Sequence, residues 1–263
     1  MSDQESDIQI QVIPTRPPRY VWQELSDPSY VGNKAVDAPY NDRARRELFD
    51  YFAHPPRVVL DIGCATGATA LAVKETYGAR AIGIELDPAT AAKAAERLDL
   101  VITHPIEQVE PSEDGLQLAS VDTVILADVI EHMYDPWKAL VGLHRFLTPD
   151  AQLVASIPNL RNLWLMHEVT EGRWQYEIEG LLDVTHIRFF TFREMHRLFA
   201  ETGYHIEFVG RNEDPRAGHL NPVFEGTINI DAGRLRLNAM TSQEVVELTT
   251  LQFLMRVRPG AAA

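Results

Sequence analysis

The chain has 263 residues, 45% hydrophobic and 24% charged, which is ordinary for a soluble globular protein with length for one or two cores. Its 24 Lys plus Arg against 38 Asp plus Glu give a formal net charge of −14, and no block of five basic residues offsets it, so neither nucleic acid nor an anionic membrane surface is an expected partner. A single cysteine, Cys64, excludes an internal disulfide or a Cys-based zinc site, the longest charge-free apolar stretch (Ile62 to Val73, 12 residues) is too short to span a bilayer, and the acidic start MSDQESDIQI is no signal peptide, so a cytoplasmic location is expected.

Residues 1 to 18 end in Pro14, Pro17 and Pro18 without a sustained period and read as a loose tail. Residues 1–38 are taken as tail and arm, ahead of one domain over 39–263. Leu48, Phe49 and Phe52 recur at helical spacing and predict a helix from Asn41 to Phe52. The cluster Arg43, Arg45 and Arg46 reads as the solvated face of that helix. Short runs rich in β-branched residues then alternate with helical segments. Strands are expected at Val58–Ile62, Ala81–Ile84, Leu100–Thr103, Val121–Leu126 and Gln152–Ile157. Between them, Ala68–Tyr77 stops at Gly78, while Asp87-Pro88 and Asp135-Pro136 each combine an N-cap with proline at the first helical position, the second opening a helix from Trp137 to Phe146. Thr191 and Glu194 form a capping-box pattern for a helix that ends at Gly203. His205–Val209 and Leu251–Val257 read as closing strands, and Thr227–Leu237 as a hairpin turning at Asp231-Ala232-Gly233.

Strand alternating with helix predicts an α/β fold with a mostly parallel, doubly wound sheet covered on both faces. Ligands in such sheets bind beyond the carboxyl ends of the strands, so functional residues should follow Ile62, Ile84, Leu126 and Ile157. Gly63 and Gly67 in Asp61-Ile62-Gly63-Cys64-Ala65-Thr66-Gly67 allow a sharp turn and close backbone approach. With Ala at position 65 the loop is not the dinucleotide fingerprint, and it lacks the Lys of a phosphate loop. Asp61 would repel phosphate but accept from a ligand ammonium, and the helix N-terminus after Gly67 would receive a carboxylate. Glu85, ending the second strand, would accept from ribose hydroxyls. A nucleoside joined to an amino acid has all three groups, which describes S-adenosyl-L-methionine.

The segments Val58 to Gly67, Glu85 with Asp87, and Val129-Ile130-Glu131-His132-Met133-Tyr134-Asp135-Pro136 resemble motifs of the class I S-adenosylmethionine-dependent methyltransferases, over about Tyr40 to Pro259. The resemblance implies a seven-stranded Rossmann-like sheet and S-adenosyl-L-methionine as the methyl donor. Ser156 to Asn159, Gly172 to Tyr176 and Leu182 to Thr191 are similar to a bacterial subfamily that accompanies glycosyltransferases in surface-polysaccharide and O-antigen biosynthesis. That implies O-methylation of a saccharide or sugar-containing small molecule. The core Thr185-His186-x-x-Phe189 is also similar to ubiquinone-biosynthesis O-methyltransferases, which implies a non-sugar metabolite instead. An aminopropyltransferase-type enzyme and a non-catalytic nucleoside-binding subunit are the remaining alternatives. The chain departs from the family at Thr103-His104-Pro105-Ile106-Glu107, where many members place an Asp for the adenine amino group.

Asp61, Gly63, Cys64, Gly67, Glu85, Leu86 and Asp128 are the expected cofactor contacts, with Cys64 also readable as packing and Asp128 as a solvated loop acid. His186 is the favoured general base, since an imidazole suits proton removal near neutral pH, with Asp183 placed to orient it; a packed histidine is the alternative. His132 is either a second candidate for the base or a capping or core histidine. Trp174, Tyr176 and Arg188, in an insert over about 158–190, are candidate acceptor contacts, the aromatics equally readable as lid packing. Tyr40 is a candidate contact from the arm. No His/Asp set has metal-ligand spacing, so no metal is expected.

Overall fold

The computed structural model describes residues 42–177, 179–217, 220 and 222–260; the tail, the arm and Tyr40 lie outside them. In chain order the elements are a 3-10 turn (Arg46–Tyr51), β1 (Val58–Ile62), α1 (Ala68–Tyr77), β2 (Arg80–Ile84), α2 (Pro88–Ala95), β3 (Leu100–Ile102), α3 (Pro111–Asp114), β4 (Val121–Ala127), α4 (Pro136–Leu143), β5 (Leu147–Pro158), α5 (Leu163–Thr170), α6 (Phe192–Glu201), β6 (Tyr204–Glu213), β7 (Thr227–Ala232), β8 (Leu235–Thr241), α7 (Ser242–Leu248) and β9 (Thr250–Pro259). Seven strands form one sheet in the order β3-β2-β1-β4-β5-β9-β6. The first five pair in parallel, and β9 pairs antiparallel with both β5 and β6.

The strand sequences explain the two-sided burial. Along β1, Leu60 and Ile62 enter one core while Val59 enters the other. Along β5, Leu153, Ala155 and Ile157 face the first core and Val154 the second. A period of two with both sets apolar is what a sheet covered on both faces requires. α6 contributes Met195, Leu198 and Phe199, an i, i+3, i+4 stripe, to the first core, and α1 contributes Ala70 and Val73 to the second. The Asp-Pro devices work as expected: Asp87 accepts from the Thr90 N–H at 2.8 Å and Asp135 from the Lys138 N–H at 3.0 Å.

Three expectations are corrected, and one element is added. The helix expected from Asn41 to Phe52 is only the 3-10 turn over Arg46–Tyr51, because Arg45 at its head offers no side-chain cap and sends its guanidinium into the sheet edge. The helix opened by Asp135 ends at Leu143, and His144–Phe146 tightens into a 3-10 turn before β5. Thr191 caps α6, but the reciprocal capping box forms at Thr241 and Glu244, opening a helix that the sequence reading passed over. The insert after β5 carries a helix of its own, α5, whose N-cap Asn162 accepts from the Trp164 and Leu165 N–H groups. The hairpin turns at Gly233 with φ +68° as expected, and its Ile230 and Met240 share a small third core with Val245 and Leu248 of α7.

The parallel order reverses between β1 and β4, so their carboxyl ends diverge and open a crevice. The loops after β1, β2, β4 and β5 converge there.

Candidate active site

The loop after β1 is held open by its own backbone. The Gly63 and Cys64 N–H groups both donate to the Ile84 carbonyl, at 2.8 and 3.0 Å. Gly63 has φ +75°, and a Cβ there would lie 2.7 Å from Val129 Cγ2, so only glycine fits between the loop and the segment after β4. The Ala65 N–H donates to one oxygen of Glu85 at 3.0 Å and the Asp87 N–H to the other at 2.9 Å. Those bonds fix the carboxylate at the β2 edge and leave lone pairs for further donors.

Two adjoining cavities share Gly63, Ala65, Asp128 and His132. The larger, of about 1090 Å³, runs from Glu85, Leu86 and Asp87 past Pro105, Ile106 and Glu107 to Met133. The smaller, of about 480 Å³, is lined by Asp61, Cys64, Glu131, Asp183 and His186 and also by Arg43, Glu179, Asn212 and Gln252. Asp61 is 3% exposed, and burial pushes its carboxyl up to about 7 against the lowering effect of the Ala70 N–H. Asp128 sits at φ +52°, a conformation uncommon for a residue with a side chain, and so projects into the crevice. Its carboxylate accepts from Ser156 Oγ at 2.9 Å, from Gln252 Nε2 at 2.7 Å and from the Arg45 guanidinium.

Glu131, His132 and His186 line the smaller cavity as a cluster. The Ile187 and Arg188 N–H groups both donate to the Glu131 carbonyl at 3.0 Å, which docks the insert on the short turn after β4. His186 Nδ1 bonds the Leu181 carbonyl at 3.2 Å, and its Nε2 lies 3.9 Å from a Glu131 oxygen. His132 Nδ1 meets the Thr185 carbonyl at 3.1 Å, and the two rings stand edge to face 4.8 Å apart. Asp183 accepts from the Thr185 N–H at 2.8 Å and hydroxyl at 2.7 Å, so it shapes the loop that carries both contacts. Glu131 is 1% exposed, and among the described residues neither of its oxygens has a hydrogen-bond partner. Burial first, and then the nearby Asp128, hold its carboxyl well above the usual range.

Other expected site residues are placed differently. Gly67 heads α1 with φ +82° and packs against Leu98, lining neither cavity. The Cys64 thiol is buried beneath Gly83, and burial pushes it up, out of the range where a thiolate forms. Trp174 and Tyr176 are 43% and 39% exposed and line neither cavity; Trp174 packs edge-on against Phe189. Arg188 donates to the Tyr134 carbonyl and lies over that ring, outside both cavities. The reading of Arg45 as solvated is corrected, because its side chain is largely buried on Asp128. Glu131 and Gln252 were passed over: Glu131 stood in the quoted motif as a neighbour of His132, and Gln252 comes from an antiparallel strand 124 positions beyond Asp128. No metal-ligand spacing was expected along the sequence; in the fold, ligand atoms of Glu131, His132 and His186 lie within 4.8 Å of one another.

A family model described as a methyltransferase domain matches residues 37–207. The chain is 30% identical over 141 residues to norajmaline N-methyltransferase of Rauvolfia serpentina, covering 50% of this chain and 47% of that protein. It spans about half the length of the curated relatives it matches, 47% and 45%. Among solved structures, a SAM-dependent methyltransferase from Archaeoglobus fulgidus superposes with TM-score 0.54 at 16% identity, over 81% of this chain and 90% of that one. The 1,6-didemethyltoxoflavin-N1-methyltransferase of Burkholderia thailandensis, solved with 1,6-didemethyltoxoflavin and S-adenosylhomocysteine, gives TM-score 0.51 at 16% identity, over 87% of this chain and 80% of that one.

Proposed function

The chain belongs to the methyltransferase-domain family, whose methyl donor is S-adenosylmethionine, and from that premise we propose that it O-methylates a saccharide or sugar-containing small molecule. The observation that carries the acceptor class is the lining of the smaller cavity. Its lining is mostly polar: Glu47, Glu179, Asn212, Gln252 and Arg43 are among its residues, with Gln252 bonded to Asp128 and Asn212, and Glu47 to Arg45. The lone pairs and donors those bonds leave over suit hydroxyls better than an apolar ring.

The donor, when bound, supplies a methyl group on a cationic sulfonium. The residues of the crevice fit it. Asp61 would accept from its ammonium, which gives the buried carboxylate a cationic partner that none of the described residues is seen to supply. Glu85 would accept from the ribose hydroxyls. His104 Nε2 is bonded to Asp114 at 2.8 Å, so Pro105, Ile106 and Glu107 are left to hold the adenine. On the far side of Asp128 and His132, the Glu131–His132–His186 cluster receives the acceptor oxygen, whose hydroxyl hydrogen finds the His186 Nε2 lone pair. Holding both reactants in one crevice supplies much of the rate.

A second reading, N-methylation of a small heterocycle, is favoured by the names of two similar proteins, norajmaline N-methyltransferase and the toxoflavin N1-methyltransferase. Tritium transfer from methyl-labelled donor separates the two. Label entering the saccharide fraction of an extract from a strain lacking the gene supports the first, and label confined to amine-bearing metabolites replaces it with the second.

A further inference from the structure

The structure assigns a divalent-cation site to Glu131, His132 and His186, one carboxylate oxygen and two imidazole nitrogens, with an open position toward the smaller cavity; we propose that it takes a first-row transition ion. Three observations converge. Glu131 is buried at 1% exposure with both oxygens unpartnered, and it borders the cavity. A buried carboxyl left without donors is costly, and a cation is the partner that removes the cost. Each histidine is oriented through its Nδ1 by a backbone carbonyl, Leu181 for His186 at 3.2 Å and Thr185 for His132 at 3.1 Å. An Nδ1–H donated to a carbonyl leaves the lone pair on Nε2, the arrangement that metal-binding imidazoles adopt.

The distances fit one ion. Two atoms each about 2.1 Å from a shared ion stand at most about 4.2 Å apart. His186 Nε2 and Glu131 Oε1 are 3.9 Å apart, inside that span. The outer limit of the set, 4.8 Å, needs a closure of about 0.6 Å, a small side-chain rotation. Two imidazoles with one carboxylate favour zinc, cobalt, iron or manganese over magnesium or calcium, which prefer all-oxygen shells. Three protein ligands rather than four leave a position for an exchangeable oxygen. Resting on the methyl-transfer reading, that oxygen is the acceptor hydroxyl, held by the ion in place of the His186 hydrogen bond and made more acidic by it, so that its proton passes to solvent water as the methyl group is transferred.

The test uses the full chain stripped with EDTA and titrated with Co(II) in the absence of donor and acceptor. One Co(II) per chain is expected, with a visible absorption band that Zn(II) displaces. Glu131→Gln and His186→Ala should each weaken Co(II) binding by at least the roughly 10–100-fold that loss of a mere outer-shell partner costs, with melting temperature and S-adenosylhomocysteine binding retained. Wild-type protein that binds no stoichiometric Co(II), or a Glu131→Gln protein that binds it as tightly as wild type, overturns the site. If either variant fails to fold, the other decides, and the wild-type titration stands alone. Undiminished methyl transfer by stripped protein would overturn the ion's role and leave methyl transfer intact. Stoichiometric Co(II) binding without any methyl transfer would uphold the site and fail the reading it rests on.

Discussion

The two halves of the crevice, which the proposed function gives to the donor and to the acceptor, are built by opposite means. The donor half is made of neighbours: Gly63, Cys64 and Ala65 bond directly to Ile84 and Glu85 of the adjacent parallel strand. Its key groups are backbone N–H donors and two strand-end acids. The acceptor half is made of side chains from distant segments, with Glu131 and His132 after β4 met by a loop more than 50 positions later. Asp128 joins them, drawing in Arg45 from the N-terminal side and Gln252 from β9. Fixed backbone serves a donor whose chemistry is constant, whereas an assembled set of side chains can be changed to suit the acceptor.

The largest expected effect would break the acceptor half alone. His186→Ala should lower kcat by about 10²–10⁴, as loss of a positioned acid–base or ligand group does, with donor affinity unchanged in calorimetry. If donor affinity falls in parallel, the two halves are not separable. Next in size is Gly63→Ala, which places a methyl group 2.7 Å from Val129 at φ +75° and so strains both halves together. A stability loss of about 1–3 kcal/mol in chemical denaturation is expected, and an unchanged midpoint would contradict the close contact. Glu85→Ala should weaken donor binding by roughly 1–3 kcal/mol without touching Co(II) binding.

Asp61 sharpens the comparison through pH. Its carboxyl is raised to about 7 from an ordinary value of 3.8, so the folded protein keeps a proton that the unfolded chain has lost. The stability this contributes is complete below the unfolded value and is lost as pH rises toward about 7. Ligand-free protein should therefore melt at lower temperature at pH 8 than at pH 5.5, and Asp61→Asn should flatten that slope. If the ligand ammonium pairs with the ionised Asp61 carboxylate as proposed, S-adenosylhomocysteine should raise the melting temperature more at pH 8. The smallest effect is expected from Trp174→Ala and Tyr176→Ala: both side chains stand outside the cavities, so donor affinity should not move, and any change should be confined to acceptor KM.

What the sequence made legible follows the same division. The strand–glycine loop–helix unit and the placing of Asp61 and Glu85 at adjacent strand ends were readable because each contact spans few residues or one strand pairing. Capping at Asp87 and Asp135 was readable for the same reason. Arg45 was not, since a basic residue beside an expected helix looks solvated until the sheet supplies Asp128. Nor was the Glu131 carboxyl, whose burial depends on the insert docking over it through Ile187 and Arg188. The helix opened by Thr241 had a local signal, Glu244 three positions on, that the adjacent hairpin pattern masked. Trp174 and Tyr176 drew notice by residue type, but composition does not say which way an insert turns its rings.

The division itself is tested most directly by calorimetric titration of S-adenosylhomocysteine into three proteins: wild type, Glu85→Ala and His186→Ala. One site per chain is expected in wild type, with equal affinity in His186→Ala and a loss of roughly tenfold or more in Glu85→Ala, the equivalent of about 1.4 kcal/mol or more. No binding to wild type, or a loss in His186→Ala as large as that in Glu85→Ala, would contradict it.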